Sequence, residues 1–145
     1  MEKIKFRRAR LNDVPKILVL GKEAKELIAS KTTKFYDKRE LVDWIKKPKD
    51  NILLVAERDK VILGFIFAKI MSPNWCMIDG ILVKRDERGK RIGTHLLERL
   101  NSILKKKKNY FLQLFVDAHC QKAFKFWQKK NFRRGKIFVW FEKDL

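Results

Sequence analysis

Apolar residues recur along this chain at two spacings, every second position in some stretches and every third or fourth in others. The first spacing predicts strands and the second amphipathic helices. Lys3 to Arg10 reads as an opening strand with Ile4 and Phe6 on one side. Asn12, Asp13 and Pro15 then mark a helix start, supplying a capping side chain and a first-turn proline. Val14, Ile17, Leu18, Gly21, Ala24 and Ile28 line one face of the helix that follows. The pattern lapses from Ser30 to Asp37, which reads as a mobile connection. A short helix carrying Leu41, Trp44 and Ile45 stops before Pro48. Two β-rich runs, Asn51 to Glu57 and Val61 to Met71, flank a hairpin turn at Arg58, Asp59 and Lys60. Trp75 to Val83 is the next strand. Ile92, Leu96, Leu97, Leu100, Ile103 and Leu104 make the central helix, which runs out in Lys105 to Lys108. Tyr110 to Val116 reads as a strand, Ala118 to Lys130 as a helix, and Phe132 to Glu142 as a final pair of strands or one bent hairpin. The predicted order is β-α-α-β-β-β-α-β-α-β-β, without linker, repeat or low-complexity segment.

At 145 residues, the chain is long enough for one domain over 1–145 that buries roughly 70% of its extended surface. No apolar run approaches the ~20 residues of a transmembrane helix, and Met1 to Arg8 is too charged for a signal peptide. No membrane association is expected. Cys76 and Cys120, with no zinc-like spacing, suggest reduced thiols in a cytoplasm and no metal. The balance of 36 Lys and Arg against 17 Asp and Glu gives +19. Such a field attracts polyanions: nucleic acid, the ribosome or a phosphate-rich cofactor. A lysine-rich proteome explains it equally well, and no compact aromatic-and-basic motif for RNA or DNA appears.

The chemistry concentrates between Asp79 and Leu104. A strand ends at Val83, a basic loop with Gly89 and Gly93 follows, and a helix opens. Helix N-termini present unpaired N–H groups and a positive dipole end to anions. Glycine lets the backbone approach such a ligand closely, and Arg88, Lys90 and Arg91 add positive charge. Neither the Walker pattern nor the dinucleotide fingerprint is present. After Val83 and four residues comes Arg88-Gly89-Lys90-Arg91-Ile92-Gly93. This resembles the GNAT superfamily of acyl-CoA N-acyltransferases, whose motif is (Arg/Gln)-x-x-(Gly/Ala)-x-(Gly/Ala). The departure is Arg91, where that family usually has glycine. The resemblance spans almost the whole chain in element order. It implies an α/β (α+β) fold with a mixed, mainly antiparallel central sheet flanked by helices. It also implies acetyl-CoA bound by Ile81, Leu82, Val83, Arg88, Gly89, Lys90, Arg91, Ile92, Gly93, Thr94 and, later in the chain, Trp127, with the strands carrying Val83 and Val116 splayed around pantetheine.

A second stretch resembles the family's Asn-x-x-Ala-x-x-(Leu/Phe)-Tyr-x-x-x-Gly-Phe. Here Ala123, Phe126 and Phe132 match, and Asn131 replaces glycine. Cys120 stands at the family's cofactor-contacting asparagine and Trp127 at its proton-donating tyrosine. An indole gives up no proton at neutral pH. Cys120 shares the helix face of Trp127 two turns away and is the candidate contact to the departing sulfur, with His119 turned about 100° aside. Cys120, Ala123, Phe124 and Trp127 also suit a plain core stripe.

Acetyl transfer to an amine needs the nitrogen unprotonated, and a lysine amine has a pKa of about 10.4. A base therefore helps. Asp79 is the candidate, four residues before Val83 and on the face of Ile81 and Val83. The position matches a glutamate of several small-amine acetyltransferases of this superfamily, while a salt bridge or turn cap beside Gly80 is the plainer role. The reading is an acetyl-CoA-dependent N-acetyltransferase acting on an amine, with a protein acceptor favoured over a polycation that the net charge would repel. The alternative is a catalytically weak GNAT-fold module that binds CoA, RNA or the ribosome.

Overall fold

The computed structural model describes residues 3–24, 34–109 and 111–145. They fall into two compact units, 1–114 and 115–145.

The first unit is built on a five-stranded sheet in chain order: β1 (Lys5–Arg8), β2 (Asn51–Arg58), β3 (Val61–Ser72), β4 (Trp75–Val83) and β5 (Phe111–Leu114). β1 to β4 pair antiparallel and β5 joins β4 in parallel. The expected mixed, mainly antiparallel α/β sheet is what the structure contains. Tight turns join β2 to β3 and β3 to β4, so the long antiparallel meander needs no crossover. Asp59 and Lys60 both take positive φ (51° and 65°) in the first of these turns, as a two-residue hairpin twisted with its strands requires.

Side chains alternate across β2. Leu53 and Val55 enter a cluster with Phe65, Phe67 and Leu82 under α1 (Val14–Gly21) and α2 (Lys38–Lys46), which contribute Val14, Ile17, Leu20 and Leu41. Ile52 and Leu54, fully buried, point to the opposite face, where α3 (Ile92–Lys106) packs on β2 and β3. Leu96, Leu97, Leu100 and Leu104 form the buried stripe of α3, as their spacing predicts. The start of α1 carries the expected proline but not the expected side-chain cap, whereas α2 carries a cap that its sequence pattern does not single out. Pro15 lies in the first turn of α1, and Asp37 and Glu40 form a reciprocal capping box on α2. Asp13, buried ahead of α1, takes two hydrogen bonds from Arg7 at 2.7 and 3.0 Å. This first helix ends at Gly21, with Lys22 and Glu23 in a turn, short of the expected Ala24; its expected continuation over 25–28 lies outside the described residues.

The second unit holds α4 (Gln121–Lys129). Its C-terminus closes as a Schellman turn: Asn131 N–H donates to Gln128 O and Phe132 N–H to Trp127 O, at 3.0 and 3.1 Å. Asn131 is left-handed at φ 65°, the conformation that makes asparagine an acceptable substitute for glycine here. The Phe132 and Trp127 rings meet edge to face at 4.9 Å. The final strands expected over Phe132 to Glu142 are not formed. Ile137 to Phe141 are exposed, Phe141 at 90%. A strand is stable only against a partner, and this unit offers none.

Candidate active site

Asp79 sits at a double discontinuity of β4. Its antiparallel pairing with β3 runs from Val83 opposite Gly64 to Gly80 opposite Phe67, then resumes with Ile78 opposite Ala68. Asp79 is the extra residue of a β-bulge, a feature that re-aims a side chain. On the other edge, the parallel ladder with β5 stops at Ile78 opposite Leu114. Asp79 to Val83 therefore have no strand on that side among the described residues. The bulge corrects one expectation: strict alternation no longer places Asp79 on the face of Ile81 and Val83. Its exposed carboxylate accepts a hydrogen bond from the Tyr36 hydroxyl instead, on the side of the sheet that carries Phe67.

Tyr36 is held by rings. It meets Trp44 of α2 edge-on at 4.7 Å and Phe67 of β3 edge-on at 5.8 Å, with Phe35 tilted against it at 4.8 Å. Trp44 stacks flat on Phe67 at 4.1 Å and 13°. Burial, then the carboxylates of Asp79 and Glu40, push the Tyr36 phenol far above its usual ionisation near 10. It is a neutral donor throughout the working pH range. Sequence reasoning missed this residue because Lys34 to Asp37 lacks any periodicity. The signal was the aromatic density of Phe35, Tyr36 and Trp44.

Five residues beyond Asp79 the chain leaves β4, and the basic loop begins. A short 3-10 turn, Arg85–Glu87, precedes Arg88, and Glu87 is its anchor. Arg58, from the β2–β3 hairpin, donates to Glu87 from both terminal guanidinium nitrogens, Nη2 at 2.5 Å and Nη1 at 3.4 Å, and Lys90 adds a third contact at 3.1 Å. Hydrogen bonds from Arg58 and Lys90 hold the buried Glu87 carboxylate below its ordinary range. Lys90 thus spends its charge inside the loop. Arg88 donates from Nε to the Val83 carbonyl at 3.0 Å, tying the loop back to the strand end.

The turn into α3 explains the family's preference at one position. Arg91, where that family usually has glycine, is left-handed at φ 63° and caps α3. Gly89 is also positive, at φ 80°, with open space where a Cβ would stand. His95 N–H is the first to bond within the helix, to Arg91 O at 3.0 Å. The N–H groups of Ile92, Gly93 and Thr94 have no acceptor in the helix. Ile92 and Thr94 bury their side chains, so at those two positions only backbone is available to an anion. The geometry fits a phosphate on the helix end.

The remaining candidates lie in the second unit. Cys120 is not inside the helix, as its expected face-sharing with Trp127 requires, but at the N-cap of α4 with φ −91°. His119 precedes the helix too, its N–H bound to Asp117 at 2.9 Å, so the helical angle between them does not apply. Trp127 is buried against Phe126 and Phe132, which suits the core-stripe reading, and Ala123 and Phe124 are half-buried beside it in sequence. Among the described residues, no three His, Cys, Asp or Glu side chains gather as a metal-binding group, and no helix is long and apolar enough to cross a membrane.

Residues 20–132 match the family model described as Acetyltransferase (GNAT) family. A spermidine N(1)-acetyltransferase of Thermoplasma acidophilum is 26% identical over 143 residues, covering 90% of this chain and 88% of that protein. Among solved structures, the PaiA N-acetyltransferase of the same organism, in complex with coenzyme A, superposes with TM-score 0.78 at 22% identity over 89% of each chain. The ribosomal-protein-S18-alanine N-acetyltransferase of Escherichia coli gives 0.76 at 15% identity over 92% of this chain and 80% of its own. A family model spanning strand, glycine loop and helix, together with a sheet that superposes on these enzymes, leaves one assignment: the chain belongs to the GNAT family of N-acetyltransferases.

Proposed function

We propose that the 145-residue chain works as one acetyltransferase domain that moves the acetyl group of acetyl-CoA to a primary amine, with Asp79 as general base. The observation that carries this is the exposed carboxylate at the β4 bulge, beside a strand edge that no described strand pairs and that leads to the N-terminus of α3. The thioester side would lie along Ile81, Leu82 and Val83. The pyrophosphate would be held by the N–H groups of Ile92, Gly93 and Thr94, with Arg88, Gly89, Lys90 and Arg91 shaping the turn. The amine lone pair attacks the acetyl carbonyl carbon, forming the N–C bond. The C–S bond breaks, and the nitrogen's proton passes to Asp79, directly or through one water. The thiolate departs to solvent.

The acceptor we favour is a protein amine, an N-terminus or a lysine. A field of +19 repels free polycations and draws the enzyme toward polyanionic assemblies such as the ribosome, where basic proteins are presented. A polyamine acceptor is the second reading, favoured by the 26%-identical relative named for spermidine. Free thiols at Cys76 and Cys120 support a reducing cytoplasm.

Thiol release from acetyl-CoA, measured with lysine peptides and with spermidine, tests both. Asp79→Asn is expected to bind CoA normally and to lose about 10²-fold in rate. Gly93→Pro, which removes one backbone donor, should weaken CoA binding more than Lys90→Ala, whose charge is already paired with Glu87. Unchanged turnover in Asp79→Asn would reduce the aspartate to a structural acid. Turnover of spermidine but of no peptide would reverse the order of the two acceptors.

A further inference from the structure

The ring cluster beside Asp79 has a role beyond packing, and the role rests on the reading of Asp79 as the base. We propose that Tyr36 is a positioning residue for acetyl transfer: its hydroxyl fixes Oδ2 of Asp79 and leaves Oδ1 as the oxygen that takes the amine's proton.

Three observations carry it. Asp79 is the unpaired residue of a bulge on the solvent-exposed part of β4, so no strand partner or close packing restrains its side chain. An exposed aspartate samples several rotamers, and a general base must meet its proton within hydrogen-bond reach. The Tyr36 hydroxyl donates to Oδ2, while Oδ1 takes no hydrogen bond from any described residue. Tyr36 itself cannot wander. Trp44 from α2 and Phe67 from β3 confine its ring edge-on, and the residue after it, Asp37, is locked as the cap of α2. Rigid helix and sheet therefore reach the carboxylate through one phenol, which is how a supporting residue holds a reacting group in productive geometry.

The phenol is not an alternative base. It remains protonated throughout the working range, and its one hydrogen is directed at Oδ2. Its contribution is orientational, so its loss should appear in turnover and not in acetyl-CoA binding. A purely structural tie predicts the reverse, a change in stability with turnover intact.

Tyr36→Phe separates the two, because it keeps the ring against Trp44 and Phe67 and deletes only the hydroxyl. With lysine peptide and spermidine as acceptors, kcat is expected to fall about tenfold, with acetyl-CoA affinity and melting temperature near wild type. Asp79→Asn and the double variant complete a cycle. If Tyr36 acts only through Asp79, the double variant is no slower than Asp79→Asn alone. Wild-type kcat in Tyr36→Phe, or a double variant slower by the product of both single losses, overturns the assignment. If Asp79→Asn is slow and Tyr36→Phe is not, this inference alone falls. If Asp79→Asn keeps wild-type kcat, the general-base reading falls and takes this one with it.

Discussion

At the residue scale, Arg91 shows how one backbone angle shapes a motif. A left-handed L-residue costs about 1–2 kcal/mol, whereas glycine adopts that region freely but loses more backbone entropy on folding, about 0.5–1 kcal/mol. Arg91→Gly should therefore stabilise the CoA-free protein by a few tenths to about 1 kcal/mol, read as a small rise in melting temperature. A fall in melting temperature would mean that the arginine side chain contributes more than its backbone strain removes.

The strand-loop-helix element is stiffened from below. Glu87 receives Arg58 from the β2–β3 hairpin and Lys90 from the loop itself, so the turn ahead of α3 is bolted to the sheet. Because the folded carboxylate titrates below its unfolded counterpart, the interaction stabilises above the unfolded pKa of about 4 and is lost as pH falls through the lower, folded value. Asp13, held down by hydrogen bonds from Arg7 and from the Arg10 N–H against the opposing effect of burial, acts in the same direction. Thermal melts of Glu87→Gln should lie below wild type at pH 7, and the gap should close below about pH 4. A gap constant with pH would assign the loss to packing instead.

On the scale of the whole molecule, the apolar run Ile137 to Phe141 and the charge of +19 oppose each other. Exposed apolar segments favour self-association, and like net charge resists it. Salt shortens the screening length to about 3 Å at 1 M, which removes the repulsion and leaves the attraction. Light scattering should show association rising with salt, and Phe138→Lys with Phe141→Lys should suppress the rise. Scattering that falls with salt would show that charge, not the apolar run, brings copies together.

What the sequence determined by itself is the set of elements whose signal is local. The α3 stripe repeats every three to four residues, and Val83 to Gly93 spells strand, loop and helix, so β4, α3 and the glycine turn between them were legible. Asn131 as a helix end was legible too, since its left-handed tolerance is a property of the residue. Tertiary structure decided everything that depends on a partner. Register alone creates the bulge that turns Asp79 from the face of Ile81 toward Tyr36, because an extra residue in a ladder is defined only against the opposite strand. Arg58 and Glu87 lie 29 residues apart and Tyr36 and Asp79 43, separations over which no periodicity signals contact. Phe132 to Glu142 reads as strand by composition, yet a strand exists only where another edge accepts its hydrogen bonds.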